Sequence, residues 1–405
     1  MKDQQLDRRK FLERGLEIGT ALSVVGATAK ITSSNAVAEE PSPDRSGPDS
    51  PRKTRVGVIG CGSVSHRYLP HLAACPFAEL VSTCDIIEDR AISQAQAHRV
   101  PHHYPNVQQM LAGADFDLLV NLTDMQEHEH INREAIAAGK HVWSEKPIAN
   151  SLAAGQELLQ QAKLQKVRVW GAPVVVSSPQ FAAMSRILQQ GKLGRVAAAH
   201  ADYGHTGPSW SSFFYEKGGG SLPDLGVYNL TTLTGLLGPA KSLVAMVNVI
   251  TPTRIIDGKG EIRVTEEDNA MVVLEHANGT LSHVQSGFNY FNPHGHEGRA
   301  ETRHTISIVG TEGSMGLVGY DWEPLGVDIA TVDNPHYQRQ CEDASGYVWQ
   351  QGASLVDECL ATGKEPLFTP EHALHVVEII CAARESQSTG RRIPLTSTFR
   401  WPIAT

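Results

Sequence analysis

The stretch Arg55–Ser65, R-V-G-V-I-G-C-G-S-V-S, determines the fold of the first half of the chain. Its opening residues, R-V-G-V-I, predict a short β-strand that enters a turn with two closely spaced glycines. Gly60 permits the tight turn, and Gly62 lets the backbone approach a phosphate group at the N-terminus of the helix that follows. Ser65 occupies the third position of this pattern, where Gly or Ala is usual, and its side chain is small enough to fit.

A second β-rich run supports this interpretation. Glu79–Cys84 predicts the next strand, and Asp85 follows it about twenty residues after the glycine turn. An acidic side chain there can accept hydrogen bonds from both ribose hydroxyls of a dinucleotide, and its charge would repel a 2′-phosphate. Ile86 and Ile87 come next, where a 2′-phosphate site would carry Arg or Ser. The pattern therefore favours NAD over NADP, although Arg90 leaves NADP open.

Strands and helices alternate onward to about residue 172. The predicted elements are the strand Phe116–Leu122, the helix His130–Ala138 closed by Gly139, and the strands His141–Trp143 and Val167–Gly171. This alternation predicts a doubly wound parallel sheet, the Rossmann architecture. Proline at 147 disfavours helical dihedrals at Lys146, so Lys146 stays at the carboxyl end of the preceding strand. In open α/β sheets that end faces the ligand crevice.

Further motifs follow the glycine turn in order along the chain. They are Thr123 with His128, Ala138–Val142, Glu145-Lys146-Pro147, Gly218–Gly220, Asp224–Gly226, Gly310–Gly313 and Ser386–Arg391. This series spans Lys53 to Leu395 and resembles the glucose–fructose oxidoreductase/inositol dehydrogenase/rhizopine-catabolism (Gfo/Idh/MocA) family. The resemblance implies that the dinucleotide is contacted by the glycine turn, with Ser63 and Val64, and by Thr123, His128, Glu145 and Lys146.

The same resemblance implies the domain organisation. An NAD-binding Rossmann domain occupies residues 54–172, and an α+β domain with an open, mostly antiparallel sheet occupies residues 173–405. In the family this second domain binds substrate and often forms oligomer contacts, so we expect a homo-oligomer, either a dimer or a tetramer.

The stretch Asp224–Thr231, D-L-G-V-Y-N-L-T, departs from the common family pattern. Many members read Asp-x-Gly-x-His-x-x-Asp, with the histidine as the proton-transfer group. Tyr228 stands at the histidine position and Thr231 at that of the last aspartate, so the stretch resembles the glucose–fructose oxidoreductase and dihydrodiol dehydrogenase branch. Val176 stands where many members carry a substrate-binding arginine.

Hydride transfer from a carbinol to nicotinamide needs a base for the hydroxyl proton and a group that orients the hydroxyl. Lys146 could serve as either; the alternative is a surface ion pair with Glu145. Tyr228 would need a cationic neighbour such as Lys146 to act near neutral pH, and the alternative is a core tyrosine. Asp224 lies one helical turn before Tyr228, so it could orient the substrate or Lys146; the alternative is a helix cap.

The histidine clusters lack the ligand count and spacing of a metal site, so no metal is predicted. They are His102-His103 in a Pro-flanked loop, His128-Glu129-His130 at the start of a helix, and His294-Gly295-His296 in a polar loop before Arg303-His304. The aromatic residues Trp210, Phe213, Phe214 and Tyr215 precede the triple glycine. They could stack on a sugar ring or belong to the core.

The N-terminus predicts export. Arg8-Arg9-Lys10-Phe11-Leu12, the mostly apolar segment Ile18–Ala29 and Ala36-Val37-Ala38 follow the order of a cleavable signal, and the paired arginines resemble a twin-arginine signal. We therefore expect a signal peptide at residues 1–38, a Pro-rich linker at 39–53 and a periplasmic location. The alternative is an amphipathic N-terminal helix on a cytoplasmic enzyme.

Composition narrows the choice of partners. The chain has 405 residues with 35 Lys plus Arg against 44 Asp plus Glu, a net charge of −9, and cleavage after Ala38 would leave −11. This balance disfavours nucleic acid and fits a neutral small substrate. Six cysteines without C-x-x-C spacing predict free thiols, and no apolar run is long enough for a membrane anchor.

Three functions agree with these observations. The first is an NAD-dependent oxidoreductase that acts on a hydroxyl of a sugar or polyol, with tightly bound cofactor. The second is an NAD-dependent glycoside hydrolase, lyase or epimerase that oxidises a carbon transiently, without net redox. The third is a non-catalytic NAD- or sugar-binding protein, suggested by the replaced His, Asp and Arg positions.

Overall fold

The structure is a computed structural model that describes residues 52–291, 303–342 and 346–403. The predicted signal peptide, and the linker except for its last two residues, lie outside these ranges.

The first part of the described chain alternates strands and helices. The elements are β1 (Thr54–Ile59), α1 (Ser65–Ala74), β2 (Ala78–Cys84), α2 (Glu88–His98), β3 (His102–Tyr104), α3 (Val107–Ala112), β4 (Leu118–Asn121), α4 (His128–Ala137), β5 (His141–Ser144), α5 (Leu152–Leu164) and β6 (Val169–Gly171). The six strands pair in parallel in the order β3-β2-β1-β4-β5-β6. This confirms the predicted Rossmann-type sheet.

Strand order reverses at β1, which lies between β2 and β4. All four residues of β4, Leu118–Asn121, are buried, as expected for a central strand covered on both faces. A ligand crevice forms outside the carboxyl ends of the two strands that flank such a reversal. The fold therefore places the glycine turn after β1 and the loops after β4 and β5 at one crevice.

Two local predictions differ from the structure. His102-His103 was predicted as loop but forms β3, because these residues pair with Ser82 and Thr83 at the edge of the sheet. Helix α4 begins at His128, two residues earlier than predicted, and Gly139 follows it with φ +73°.

The second part of the chain forms a larger sheet with helices. The elements are α6 (Pro179–Gln189), β7 (Val196–Gly204), α7 (Val227–Leu237), β8 (Ala240–Asn248), β9 (Thr253–Ile256), β10 (Gly260–Arg263), β11 (Asn269–His276), β12 (Leu281–Gly287), β13 (His304–Gly310), β14 (Gly313–Tyr320), β15 (Glu323–Thr331), β16 (Asn334–Cys341), α8 (Gly352–Thr362), α9 (Pro370–Thr389) and β17 (Ile393–Pro394). Strands β9 and β10 form a separate hairpin.

Nine of these strands form one sheet in the order β16-β15-β14-β13-β7-β12-β11-β8-β17. Only the β7–β12 pairing is parallel, so the predicted mostly antiparallel sheet is confirmed. Helices α6, α7 and α9 pack on this sheet. Apolar side chains remain exposed on β8 and β11, where Val244 and Met246 stand directly opposite Val273 and Met271.

All six cysteines are free thiols. Within the described ranges no helix has both the length and the apolar character needed to cross a bilayer. The same residues contain no group of three or more His, Cys, Asp or Glu side chains arranged to hold a metal ion.

Candidate active site

The glycine turn places an open backbone surface at the crevice. Gly60 has φ +87°, and a Cβ there would lie 2.4 Å from the carbonyl carbon of Leu122, so no side chain fits. At Gly62, in contrast, a Cβ would meet no atom within 4 Å. Gly62 lines a cavity of about 650 Å³ together with Ser63 and Val64. The turn is therefore closed toward the sheet and open toward the cavity.

This end of the cavity fits a dinucleotide pyrophosphate. Helix α1 begins at Ser65, its N-terminus receives no side-chain cap from Val64, and its first turn contains no acidic residue. Backbone N–H groups and the helix dipole favour an anion there. Arg67, on the same helix, also lines the cavity and adds a cation that sequence analysis missed.

The Asp85 side chain stabilises the glycine turn through hydrogen bonds. Its two carboxylate oxygens accept hydrogen bonds from the backbone N–H groups of Cys61 and Ile87, both at 2.8 Å. Asp85 is buried and does not line the cavity, and neither does Gly60. The predicted contact of Asp85 with a ribose stays a prediction, and its observed contacts fix the turn.

His128 connects the loops that follow β4 and β5. Its buried ring lies between the carbonyl oxygens of Pro147, 2.8 Å from Nδ1, and Thr123, 2.9 Å from Nε2. Burial lowers the pKa of His128, and a neutral ring can donate to one of these oxygens at a time. Both Thr123 and His128 line the cavity, so this ring shapes the floor of the cofactor crevice.

Glu145 fixes the end of β5 against α1 and is not the ion-pair partner of Lys146. Its buried carboxylate accepts a hydrogen bond from Tyr68 Oη at 2.6 Å and another from the backbone N–H of Lys146 at 3.0 Å. These contacts hold the backbone of Lys146 and leave its side chain free to extend toward the second sheet.

The Lys146 side chain reaches the segment before α7. Its Nζ donates to Asp224 Oδ1 at 2.7 Å and to the Asp224 carbonyl oxygen at 2.9 Å. The same ammonium group lies 5.2 Å from the centroid of the Tyr228 ring. All three residues line the cavity, and the Lys146 and Asp224 side chains are only 12% and 11% exposed. The predicted trio thus comes together, with Asp224 as the ion-pair partner of Lys146.

Tyr228 has the electrostatic character of a hydrogen-bond donor. Burial raises the pKa of its hydroxyl well above the ordinary value near 10, and the charges of Glu145, Asp224 and Asp321 act in the same direction. Because burial and these carboxylates outweigh the nearby Lys146 cation, the phenol keeps its proton near neutral pH.

The turn that carries Asp224 is held by an ion pair between the buried carboxylate of Glu267 and the partly exposed Arg384. Arg384 on α9 donates to the Glu267 carboxylate through Nε at 3.0 Å and to the Gly219 carbonyl oxygen through Nη2 at 2.5 Å. Glu267 also accepts a hydrogen bond from the backbone N–H of Leu222, the first residue of the π-helical turn Leu222–Gly226. Despite Arg384, burial raises the pKa of Glu267 to about 7.

Aromatic side chains surround the substrate end of the cavity. They are Tyr203, Trp210, Phe213, Phe214, Tyr228, Trp322, Tyr347 and Trp349. Of the predicted aromatic cluster, Trp210 lines the cavity and is 43% exposed, whereas Tyr215 is buried in the core. Stacking on a sugar ring stays a prediction.

The other predicted polar loop is only partly described. His294 and His296 lie outside the described residues. Arg303 forms an ion pair with Asp202, and His304 Nε2 lies 2.9 Å from Asp328 Oδ2. Neither Arg303 nor His304 lines the cavity.

Two family models match this architecture. Residues 54–172 match the oxidoreductase family with an NAD-binding Rossmann fold, and residues 181–316 match the GFO/IDH/MocA C-terminal domain. The chain belongs to the Gfo/Idh/MocA oxidoreductase family. This confirms the predicted family and its NAD-binding fold.

Curated relatives of this Gfo/Idh/MocA protein include dehydrogenases of diols and polyols. Trans-1,2-dihydrobenzene-1,2-diol dehydrogenase of Bos taurus is 23% identical over 76% of this chain and 89% of the relative. The scyllo-inositol 2-dehydrogenase (NADP(+)) IolU of Bacillus subtilis (strain 168) is 26% identical over 57% of this chain and 71% of the relative. The crystal structure of aldose-aldose oxidoreductase from Caulobacter crescentus, complexed with glycerol, is similar in fold, with a TM-score of 0.70 at 20% identity over 85% of this chain and 100% of that chain.

Nine of the predicted site residues of this Gfo/Idh/MocA chain line one cavity: Gly62, Ser63, Val64, Thr123, His128, Glu145, Lys146, Asp224 and Tyr228. Arg67 and the Glu267–Arg384 pair were not predicted from the sequence. A basic residue in the first turn after the glycines could have indicated Arg67. The pairing of Glu267 with Arg384 joins residues 117 positions apart and left no local signal.

Proposed function

We propose that the protein is an NAD-dependent oxidoreductase that acts on a CH–OH group of a neutral sugar or polyol. The observation that carries this proposal is the Lys146–Asp224 ion pair beside Tyr228, in the same cavity as the open glycine turn. The diol and inositol dehydrogenases among its relatives support the substrate class.

Oxidation of a carbinol to a carbonyl removes a hydride from carbon and a proton from oxygen. When bound, the nicotinamide supplies the hydride acceptor. Tyr228 donates a hydrogen bond that orients the substrate oxygen. The proton leaves that oxygen through Lys146: as Nζ takes it up, Nζ passes one of its own protons to the Asp224 carboxylate, to which it is already hydrogen-bonded at 2.7 Å. The reverse path protonates the oxygen during reduction.

The proposed role of Lys146 in oxidation of a CH–OH group is tested with the variant Lys146→Met. We expect kcat to fall at least about 100-fold, the range of general acid–base effects, while bound nucleotide is retained. Sugar-dependent formation of NADH by stopped-flow absorbance gives the rate. An unchanged kcat would contradict the role of Lys146.

We further propose that the cofactor is NAD, retained tightly, and that the protein is exported to the periplasm by the twin-arginine route. The support is the Arg8-Arg9 signal together with the scarcity of free NAD outside the cytoplasm, since this route carries folded proteins. Denaturing the purified exported protein and identifying the released nucleotide tests both the cofactor and its retention. Near-stoichiometric NAD is the expected result, and an empty protein would contradict tight retention.

Retained cofactor also favours a second candidate, a closed redox cycle in which one turnover oxidises and re-reduces the same nicotinamide. Such a cycle would suit a coupled oxidoreduction of two sugars, or a glycoside hydrolase, lyase or epimerase. It predicts product formation, such as sugar released from a glycoside, without added cofactor and without net NADH. Stoichiometric NADH formation with each sugar oxidised would exclude it.

The exposed apolar face of the second sheet supports a homo-oligomer. Met246 is 77% exposed and Met271 is 47% exposed on adjacent strands. Burial of a sheet face of this kind in a symmetric interface would stabilise a dimer or tetramer. Sedimentation velocity tests this, with Met246→Lys expected to shift the protein toward monomer.

A further inference from the structure

Two charged side chains outside the cavity contact the turn that carries Asp224. Glu267 is buried, Arg384 extends from α9, and neither residue lines the cavity. The Arg384 guanidinium binds the Glu267 carboxylate twice, through Nε at 3.0 Å and through Nη2 at 3.2 Å, and lies 3.4 Å from Glu266 Oε2. A substrate in the cavity would not touch this pair, so the pair can influence a reaction there only through other residues.

The pair binds the backbone on both sides of Gly220. Arg384 Nη2 donates to the Gly219 carbonyl oxygen at 2.5 Å, and Glu267 Oε1 accepts from the Leu222 N–H at 3.3 Å. Gly220 itself has φ +113°, and a Cβ there would lie 2.3 Å from Glu267 Oε1, so a side chain at this position would displace the carboxylate. The two partners of one ion pair therefore fix the backbone that leads into the π-helical turn.

The π-helical turn Leu222–Gly226 takes its first hydrogen-bond partner from this pair. The turn begins after Ser221, whose side chain does not cap it. The first N–H groups of a helix have no partner within the helix, and Glu267 binds the first of them here. Asp224 is the middle residue of the turn, and its N–H donates to the Gly220 carbonyl oxygen at 3.3 Å. A displacement of the entering backbone would therefore move Asp224.

Lys146 contacts both the backbone and the side chain of Asp224. Its Nζ donates to the carbonyl oxygen at 2.9 Å and to Oδ1 at 2.7 Å. Because one of these two acceptors belongs to the backbone, rotation of the Asp224 side chain alone cannot correct a shift of the turn. A misplacement of about 1 Å in a reacting arrangement can lower a rate about 100-fold. The contacts of Lys146 Nζ therefore depend on how the turn is held.

We propose that Arg384 is a positioning residue, which acts through Glu267 and the Gly219 carbonyl group. It holds Asp224 where the carboxylate can take up the proton that leaves Lys146 Nζ. This inference rests on the proposed function, since it assigns a proton path to Lys146 and Asp224. It adds that the geometry of this path is set from α9, on the side of the turn that faces away from the cavity.

Arg384→Met tests the positioning role by kinetics, with D-glucose or myo-inositol as substrate, whichever the wild type oxidises faster. We expect kcat to fall about 10- to 100-fold and KM to change less than about threefold, while the nucleotide released on denaturation stays at the wild-type amount. The double variant Arg384→Met/Asp224→Asn should have the kcat of Asp224→Asn within about threefold, because Arg384 acts only through Asp224. Losses in kcat that multiply, or Arg384→Met with wild-type kcat, would overturn the proposal.

A second variant covers the case in which Arg384→Met does not fold. That variant leaves Glu267 as a buried carboxylate without its cation, which is destabilising. Arg384→Met/Glu267→Gln leaves no unpaired charge, and we expect the same loss in kcat from it. Arg392→Met is the matched control, because Arg392 also pairs with a glutamate, Glu275, but is 58% exposed and does not line the cavity. It should leave kcat unchanged.

A second measurement needs no turnover. The coupling between Lys146→Met and Asp224→Asn is determined by urea unfolding, once in the wild type and once in Arg384→Met. We expect the coupling to fall to less than half in Arg384→Met, because the turn no longer holds Asp224 against Lys146. Equal coupling in both backgrounds would overturn the positioning role. A reduced coupling in a protein that oxidises neither probe would support the positioning role and contradict the proposed oxidoreductase reaction.

Discussion

Replacing Lys146 by Met removes the cation from a nearly buried ion pair. The Nζ–Oδ1 distance to Asp224 is 2.7 Å, with the two side chains 12% and 11% exposed. At an effective dielectric constant of about 20, two charges at that distance attract by about 6 kcal/mol. Desolvation of both groups offsets part of this, and loss of one partner of a buried pair costs about 3–5 kcal/mol. We expect Lys146→Met to lower the free energy of unfolding by about 3 kcal/mol.

A double-mutant cycle isolates the interaction. Asp224→Asn should cost a similar amount, whereas the double variant should lose about 2–3 kcal/mol less than the sum, because no unpaired charge remains. Urea unfolding followed by tryptophan fluorescence gives each value. The pair Lys364–Glu358, whose lysine is 69% exposed, is the matched control and should show a coupling below about 1 kcal/mol.

Activity separates stability from catalysis in the same variants. The double variant should be about as stable as either single variant, and its rate should not recover, because the proton path through Lys146 and Asp224 is gone. We expect kcat to stay at least about 100-fold below that of the wild type. The reasoning would be refuted if the two single losses in unfolding free energy summed to the loss of the double variant within about 0.5 kcal/mol. A double variant with wild-type kcat would refute it as well.

Three further predictions concern the cofactor crevice and the core. Gly62→Val should change the unfolding free energy by less than about 1 kcal/mol, since a Cβ there meets no atom within 4 Å, yet abolish nucleotide retention, measured on denatured protein. Burial lowers the pKa values of His372 and His375 to about 3 and about 4. Their neutral rings therefore contribute fully to the free energy of unfolding above about pH 6.5, and this contribution is lost as the pH falls toward 4. His375→Gln should reduce the loss, measured by urea unfolding at several pH values. Glu267 has a pKa raised to about 7, so its stabilisation is lost as pH rises from about 4.5 to 7, and Glu267→Gln should remove that dependence.

Short sequence motifs predicted those site residues that lie in a single strand and the loop after it. Gly60 and Gly62 were identifiable because steric limits on a tight turn act on adjacent residues. Lys146 was identifiable because a proline follows it at a strand end. Asp224 and Tyr228 share a helical face, so their proximity to each other was also predictable, although their shared contact with Lys146 came only through the family resemblance.

Contacts between distant segments were not predictable in this way. The contact of Asp85 with a ribose stays a prediction. Its hydrogen bonds from the N–H groups of Cys61 and Ile87 were not predicted, because only the folded loop brings those groups to its carboxylate. Glu267 and Arg384 belong to no motif. Their contact depends on the packing of α9 beside the second sheet.

The buried titratable groups of the core act in opposite directions over the same pH range. Acidification from about pH 7 to 4 charges the unfolded forms of His372 and His375 and so destabilises the fold, whereas Glu267 and Asp321, with pKa values raised to about 7 and about 6, gain stability as they take up protons. Since each unit of pKa shift corresponds to about 1.4 kcal/mol, shifts of similar size offset one another. The wild-type stability curve should therefore be shallow in this range. Removal of Glu267 as a titrating group would then make the protein more acid-sensitive, because Asp321 would oppose only part of the histidine contribution.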